Sequence, residues 1–268
     1  MHKFLSAIFV YFFLSLTVHA DVFDDAFAAL ENGDYKTVMK LLNPLAEQGN
    51  VIAQLSLGDM YFNGDGVVKD YKQAVKWYRL AAEQGYAEAQ YNLGFAYANG
   101  VGIPEDDKKA VKWHRLAAEQ GLADAQFGLG FMYAEGEGVP EDDKQAVKWY
   151  RLAAEQGYAE AQYNLGAMHY RGEGVKQDYK QAVKWYRLAA EQGLADALAN
   201  LGTMYAKGEG VSKDYIISYM WFVMADVQGF EKAIHNMNVN AVFMTSSQIE
   251  EAKKLSVDCL MKEYKNCY

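Results

Sequence analysis

The groups in this chain that could serve as nucleophiles, bases or metal ligands are few. Beyond the first twenty residues the histidines are His114, His169 and His235. None has a carboxylate or a second histidine at a ligand-like spacing, so neither a catalytic triad nor a metal site is expected. A serine acylase of the β-lactamase type needs S-x-x-K and K-T-G; neither occurs, and G-x-S-x-G is also absent. Loops with two glycines, such as Glu135-Gly136-Glu137-Gly138, are acidic and follow helical segments, whereas a phosphate loop follows a strand and carries G-K-[ST]. The runs Glu105-Asp106-Asp107 and Glu141-Asp142-Asp143 lack a calcium-loop spacing and suit helix N-termini, where carboxylates complement the macrodipole. Cys259 and Cys267 are spaced too widely for a C-x-x-C redox pair, and two ligands do not make a zinc site. The chain is therefore expected to be neither an enzyme nor the holder of a cofactor.

Residues 1–20 read as a secretory leader. Lys3 supplies a positive start, Phe4 to Thr17 is almost wholly apolar, and Val18-His19-Ala20 places small residues at −3 and −1 of a cut after Ala20. The apolar run is shorter than the roughly 20 residues a membrane span needs. No later segment is apolar for long enough, so no integral membrane segment is expected after cleavage. The implied location is periplasmic or secreted. In that oxidising compartment Cys259 and Cys267 are expected to form a disulfide. The formal charge of −9 disfavours nucleic acid and anionic membrane surfaces as partners.

What must position any binding residues is an internal repeat. Glu-Gln-Gly ends at Gly49, Gly85, Gly121, Gly157 and Gly193, a step of 36 each time, and Gln228-Gly229 continues it. Trp77, Trp113, Trp149, Trp185 and Trp221 keep the step, as do Gly58, Gly94, Gly130, Gly166 and Gly202. The stretch Gln73 to Gly94 recurs verbatim at Gln145 to Gly166. Each copy reads as two helices. In the second copy the first helix runs from about Ala87 to Ala98, with Ala89, Gln90, Leu93, Gly94 and Tyr97 on one face. Gly94 leaves room for a close neighbour, which offsets the cost of about 1 kcal/mol for a glycine inside a helix. After a turn with Gly100 at the left-handed end position, Asp106 caps the second helix; Asp70, Asp142, Asp178 and Asp214 do so in the other copies. In that helix the tryptophan reads as the large knob and the alanines make room for it. Gln73, Gln145 and Gln181 stand at capping-box spacing from their aspartates.

A single hairpin of this kind cannot bury its apolar face; stacked copies can. The fold class expected is all-α, a right-handed superhelical solenoid of 36-residue helical-hairpin repeats. Its parts are a leader (1–20), an N-terminal capping hairpin (21–49), five repeats (50–229) and C-terminal capping helices with the cysteine pair (230–268). The last capping helix is expected from about Ser247 to Lys262, with Ser247 and Glu250 as its capping box.

Ala89, Leu93, Gly94, Tyr97, Gly100, Gly102, Asp106, Ala110, Trp113, Ala117, Ala118 and Gly121 together resemble the Sel1-like repeat family, a relative of the tetratricopeptide repeat. The likeness recurs five times in register over about Ala26 to Gly229, and the tail looks like the extension of exported bacterial members. It implies a scaffold for protein or peptide partners. Two departures are His169, where other copies have tyrosine, and His114, where Tyr78, Tyr150 and Tyr186 stand. Cysteine-rich Helicobacter members have been linked to penicillin binding or β-lactamase activity, so a protein that binds or hydrolyses a cell-wall or β-lactam substrate is the alternative. Those members carry a disulfide in each repeat, which this chain lacks.

The face of the first helix opposite the core supplies the candidate binding stripe. It begins with Ser56 and Asp59, continues through Tyr91, Asn92, Phe95, Phe127, Phe131, Tyr163 and Asn164, and ends at Asn200 and Thr203. Aromatic rings give contact area at low entropic cost and asparagine can pair with a peptide backbone. On a concave surface this stripe is a groove. The same rings could instead pack between neighbouring hairpins, and the residues alone leave both readings open.

Overall fold

Every element among the described residues of the computed structural model, 22–265 and 267, is a helix or a turn. Two compact units divide the chain, Met1–Gln120 and Gly121–Tyr268. In the first, α1 (22–31) and α2 (Tyr35–Glu47) form a short hairpin. It is succeeded by α3 (Val51–Asn63) with α4 (Tyr71–Glu83) and by α5 (Ala87–Ala98) with α6 (Asp107–Glu119). The second holds α7 (Ala123–Glu135) with α8 (Asp143–Glu155), α9 (Ala159–Arg171) with α10 (Tyr179–Ala190), and α11 (Ala195–Lys207) with α12 (Tyr215–Val227). It ends in α13 (Ala233–Ala241) and α14 (Ser246–Met261). The leader-like segment 1–20 lies outside the described residues.

Local chemistry sets the boundaries. The side chains of Asp70, Asp106, Asp142, Asp178 and Asp214 each accept from one or two backbone N–H groups in the first turn of the adjoining helix. In α4, α8 and α10 the third residue after the cap, Gln73, Gln145 or Gln181, supplies one of those N–H groups. The left-handed residues Gly64, Gly136, Gly172 and Gly208 end α3, α7, α9 and α11, a conformation that costs glycine nothing. At α14 the capping box lies two residues before the expected one. Thr245 and Gln248 form it, because Thr245, not Ser247, has the extended backbone a cap requires.

Packing is organised by the helical glycines. A Cβ on Gly58, Gly130, Gly166 or Gly202 would run into the ring of Tyr78, Tyr150, Tyr186 or Phe222, which lies on the second helix of the same hairpin. At Gly94 the ring is the smaller imidazole of His114, 3.0 Å from where the Cβ would be. This ring, and not the tryptophan, is the deepest knob in most copies. Trp149, Trp185 and Trp221 are buried, but Trp77 and Trp113 are half-exposed. The lysine before each of the first four tryptophans lies over its ring, at 4.9 Å from the centroid for Lys148. Leu57, Leu93, Leu129, Leu165 and Leu201 are fully buried beside the glycines, each contributing about 1.5–3 kcal/mol.

Successive hairpins are joined by glutamines. Buried Gln90 donates to the carbonyl of Ala82 near the end of α4 (3.2 Å), and its own Oε1 accepts from Gln120 Nε2 at 2.7 Å. Gln120 also reaches the Gly85 carbonyl, 2.9 Å away. Gln54 with Gln84, and Gln162 with Gln192, repeat the pairing. The buried amide thus adds a side-chain donor to a helix-end carbonyl that already accepts from the backbone of its own turn. The second glycine of the loops adds a backbone joint. At Gly102, Gly174 and Gly210 a side chain would strike the first backbone atoms of the preceding hairpin's second helix, at Tyr71, Asp143 and Tyr179.

In the last hairpin Leu198 replaces the buried glutamine, so Gln228 has no amide to meet and donates to the hydroxyl of Tyr264. Ser218 stands where the other copies have alanine; its hydroxyl donates to the Gly202 carbonyl and accepts from Asn240 of α13. Phe243 stacks on Tyr215 at 5.0 Å. Cys259 and Cys267 lie at disulfide distance, with Cα atoms 5.0 Å apart.

Candidate functional site

The predicted stripe is neither wholly groove nor wholly core. Tyr91 meets His114 edge-on at 5.3 Å, Phe127 lies 5.8 Å from Tyr150 and Tyr163 lies 5.7 Å from Tyr186. These three stripe rings therefore pack on the deep ring of their own hairpin and keep one side half-exposed. Phe127 also stacks on Tyr158 at 5.0 Å. Phe95 and Phe131 are more open, 39% and 41% exposed.

Between consecutive first helices the surface sinks into hollows. In the first unit one such hollow, about 270 Å³, is lined by Asp59, Phe62, Tyr78, Tyr91, Asn92 and Phe95. In the second unit one of about 350 Å³ lies among Phe131, Tyr150, Asn164, Arg171 and several carboxylates, and one of about 250 Å³ among Tyr163, Tyr170, Tyr186 and Asn200. The stripe positions thus come together locally, each hollow drawing on two first helices and the deep ring between them. Among the predicted residues, Phe127 and Ser56 line none of these three.

Polar groups in the hollows are coupled to the deep tyrosines. Tyr78 donates to Asp59 Oδ1 at 2.8 Å, and Asn92 Nδ2 reaches the same oxygen at 3.4 Å. Asn164 lies close enough to Tyr150, and Asn200 to Tyr163 and Tyr186, to favour the ionised phenol slightly against the larger effect of burial. Burial holds all four of these phenols above the usual tyrosine range, so they stay protonated donors. Burial raises the Asp59 carboxyl, and the hydrogen bond from Tyr78 only partly opposes this. Arg171 hydrogen-bonds Glu173 at 2.9 Å, which raises the guanidinium further. Tyr170 donates to Glu209 at 2.9 Å, with Lys207 Nζ 3.1 Å from its hydroxyl.

The lining residues that the stripe missed include the deep tyrosines, Phe62, Tyr170 and Arg171. A wheel assigns the tyrosines to the core, and their rings are there; the hydroxyl alone emerges at the hollow. Their pairing with asparagine was visible only as a shared period. The histidines carry no site. His114 and His169 are buried with Nδ1 unpaired among the described residues, and burial lowers both, His114 to about 4. Among the described residues no group of three or more His, Cys, Asp and Glu side chains could hold a metal, and no helix is long and apolar enough to cross a membrane.

The comparisons with known proteins agree with this architecture. The Sel1 repeat family matches residues 51–86, 87–122, 123–158, 159–194 and 195–225. A Sel1 repeat protein from Oxalobacter formigenes is 32% identical in sequence, with a TM-score of 0.73 over 90% of this chain and 96% of that one. A protective antigen of uropathogenic Escherichia coli strains with the same repeat fold is also 32% identical, with a TM-score of 0.58 over 85% of this chain. The alignment spans 57% of that longer chain. A search of curated proteins finds no match. The chain belongs to the Sel1 repeat family, all-α solenoids of helical hairpins about 36 residues long that generally act as non-catalytic scaffolds binding other proteins.

Proposed function

We propose that this protein is an exported binding scaffold whose protein or peptide partner lies along the hollows between the first helices of the hairpins, the face expected to be concave. One observation carries the reading: the same surface feature recurs at equivalent places. In the first unit an open Phe95 adjoins Asn92, Asp59 and the Tyr78 hydroxyl. In the second, Phe131 adjoins Asn164 and the Tyr150 hydroxyl, and Asn200 adjoins Tyr163 and Tyr186. A row of amides and hydroxyls with an aromatic anchor beside it suits an extended chain, whose backbone offers donors and acceptors at regular steps. Repetition lengthens such a surface, whereas catalysis needs one unique constellation.

Export is supported by the leader-like composition of residues 1–20 and by the two tail cysteines at disulfide distance. On this reading residues 21–49 and 230–268 are the caps of the array. N-terminal sequencing of protein recovered from the producing cell should begin at Asp21, and thiol labelling should fail without a reductant. The binding surface is tested by placing a photoreactive residue at Phe95 or Phe131, with Lys112 on α6 as control. A discrete adduct from the first two and none from the third is expected. Equal adducts from all three, or none from a folded protein, would sink the proposal.

A further inference from the structure

We infer that the first-unit hollow between α3 and α5 is a receptor for the ammonium group of a lysine carried by the partner peptide. The inference rests on the binding-scaffold reading and specifies its chemistry. Along the repeat the position of Asp59 is held by Phe95, Phe131, Ala167 and Thr203, so this copy alone places a carboxylate there. Asp59 is half-buried, and both of its hydrogen bonds, from Tyr78 and Asn92, go to Oδ1. Oδ2 accepts from no described residue, and no lysine, arginine or histidine among the described residues pairs with the carboxylate. Burial pushes the group up in the absence of any such partner. A carboxylate half out of water without a cation is an unmet requirement, and a ligand's positive charge meets it.

The walls select the kind of cation. Phe62, Tyr78, Tyr91 and Phe95 line the hollow; Phe62 lies 6.3 Å from Phe95 at 68° and 6.5 Å from Tyr78 at 48°. An ammonium held within about 6 Å of an aromatic face is attracted by it, and four rings line this hollow. A guanidinium is best served by two free carboxylate oxygens in one plane; Asp59 has one, which suits the compact point charge of lysine. A net charge of −9 favours the approach of a cationic peptide. Asp59 also borders a second, largely apolar hollow of about 290 Å³ lined by Phe23, Phe27, Leu30 and Ile52 among others. A segment crossing Asp59 would therefore set a large apolar side chain on one side and lysine on the other.

The test is selection of random peptides displayed against the full exported chain, with affinity then measured on the selected sequence. Enriched peptides should carry lysine near a large apolar residue. Nε-acetylation of that lysine, and Asp59→Asn in the protein, should each weaken binding about tenfold, as expected when one charge-assisted hydrogen bond is removed. The Asp59→Asn side chain keeps an acceptor for Tyr78, so the variant should unfold no earlier than the parent, which separates impaired recognition from impaired folding. Equal affinity for Asp59→Asn, or an arginine peptide that binds as well as the lysine one, would overturn the assignment. So would choline that binds as tightly as the peptide and no longer binds Asp59→Asn, since the site would then serve a small quaternary ammonium. Lysine-free peptides that crosslink to position 131 would refute the lysine site and leave the scaffold reading intact; no enrichment at all would sink both.

Discussion

The hairpins α9–α10 and α11–α12 share one backbone plan and differ in how each meets the next element of the chain. In the first, Tyr186 lies on Gly166, and Gln192 reaches across to the buried amide of Gln162. In the second, Phe222 lies on Gly202, leucine occupies the amide position, and Ser218 and Gln228 turn to α13 and the tail instead. The glutamine that closes on its own hairpin in the first reaches the tail in the second, where a serine in place of Ala182 adds a bond to α13. The last hairpin therefore keeps the backbone plan and meets its terminating elements through a few exchanged side chains.

Histidine at 114 is a third version of the deep ring, and it carries the largest expected effect. Burial holds it near pH 4 in the folded state, whereas the unfolded value is about 6.5. The unfolded chain takes up the proton first, so the stability is present above pH 6.5 and declines as the pH falls towards 4. The decline is at most about 3 kcal/mol. His114→Tyr, the residue of the sister copies, should remove that part of the acid sensitivity. Urea midpoints of both proteins at pH 7 and pH 4.5 measure it, and an identical acid effect in the two would refute it.

Next in size is the contact between glycine and ring. In Gly166→Ala the new Cβ would come within 2.8 Å of Tyr186 Cδ1, and the overpacking should cost about 2 kcal/mol. Gly94→Ala, facing the smaller imidazole at 3.0 Å, should cost clearly less, because the clash is milder while both variants recover the same helix propensity of about 1 kcal/mol. Equal thermal shifts would mean that the ring identity does not set the fit. Gln162→Leu copies the last hairpin into an inner one. It removes one donor to the Ala154 carbonyl and the side-chain acceptor of Gln192, both of which keep backbone partners, at about 1 kcal/mol, and a neutral result would show that the glutamine joint is dispensable. Tyr264→Phe removes only the acceptor for an exposed Gln228; a drop of about 0.5 kcal/mol is expected, and a larger one would make the tail a principal support of the second unit.

The period of the chain made the hairpins, the aspartate caps and the close approach at the glycines legible, because each depends on residues within one or two turns of each other. The joints were less so. Gln90 falls on the same helical face as Leu93, but its partner Gln120 is 30 positions away and nothing local announces it. The tryptophans drew attention by size, yet the ring with least room is the tyrosine one position on, identified only by the glycine it covers. The candidate site was half visible. Asn92, Phe95, Phe131, Asn164 and Asn200 follow from the wheel, while the tyrosine hydroxyls that organise them emerge from rings counted as core. Asp59 lies in the stripe; it is set apart as the one carboxylate at a position held elsewhere by Phe95, Phe131, Ala167 and Thr203.

The longest verbatim match in the chain, Lys72 to Gly94 and Lys144 to Gly166, does not coincide with a hairpin. It runs from the second helix of one hairpin into the first helix of the next, across the Glu-Gln-Gly turn and the buried glutamine that binds back over it. What has been copied most faithfully is the seam. An array whose seams are interchangeable can grow or shrink by whole multiples of its period with no new contact surface to be invented, so that the length of the stacked face becomes a matter of copy number while single exceptions such as Asp59 distinguish one copy from the next.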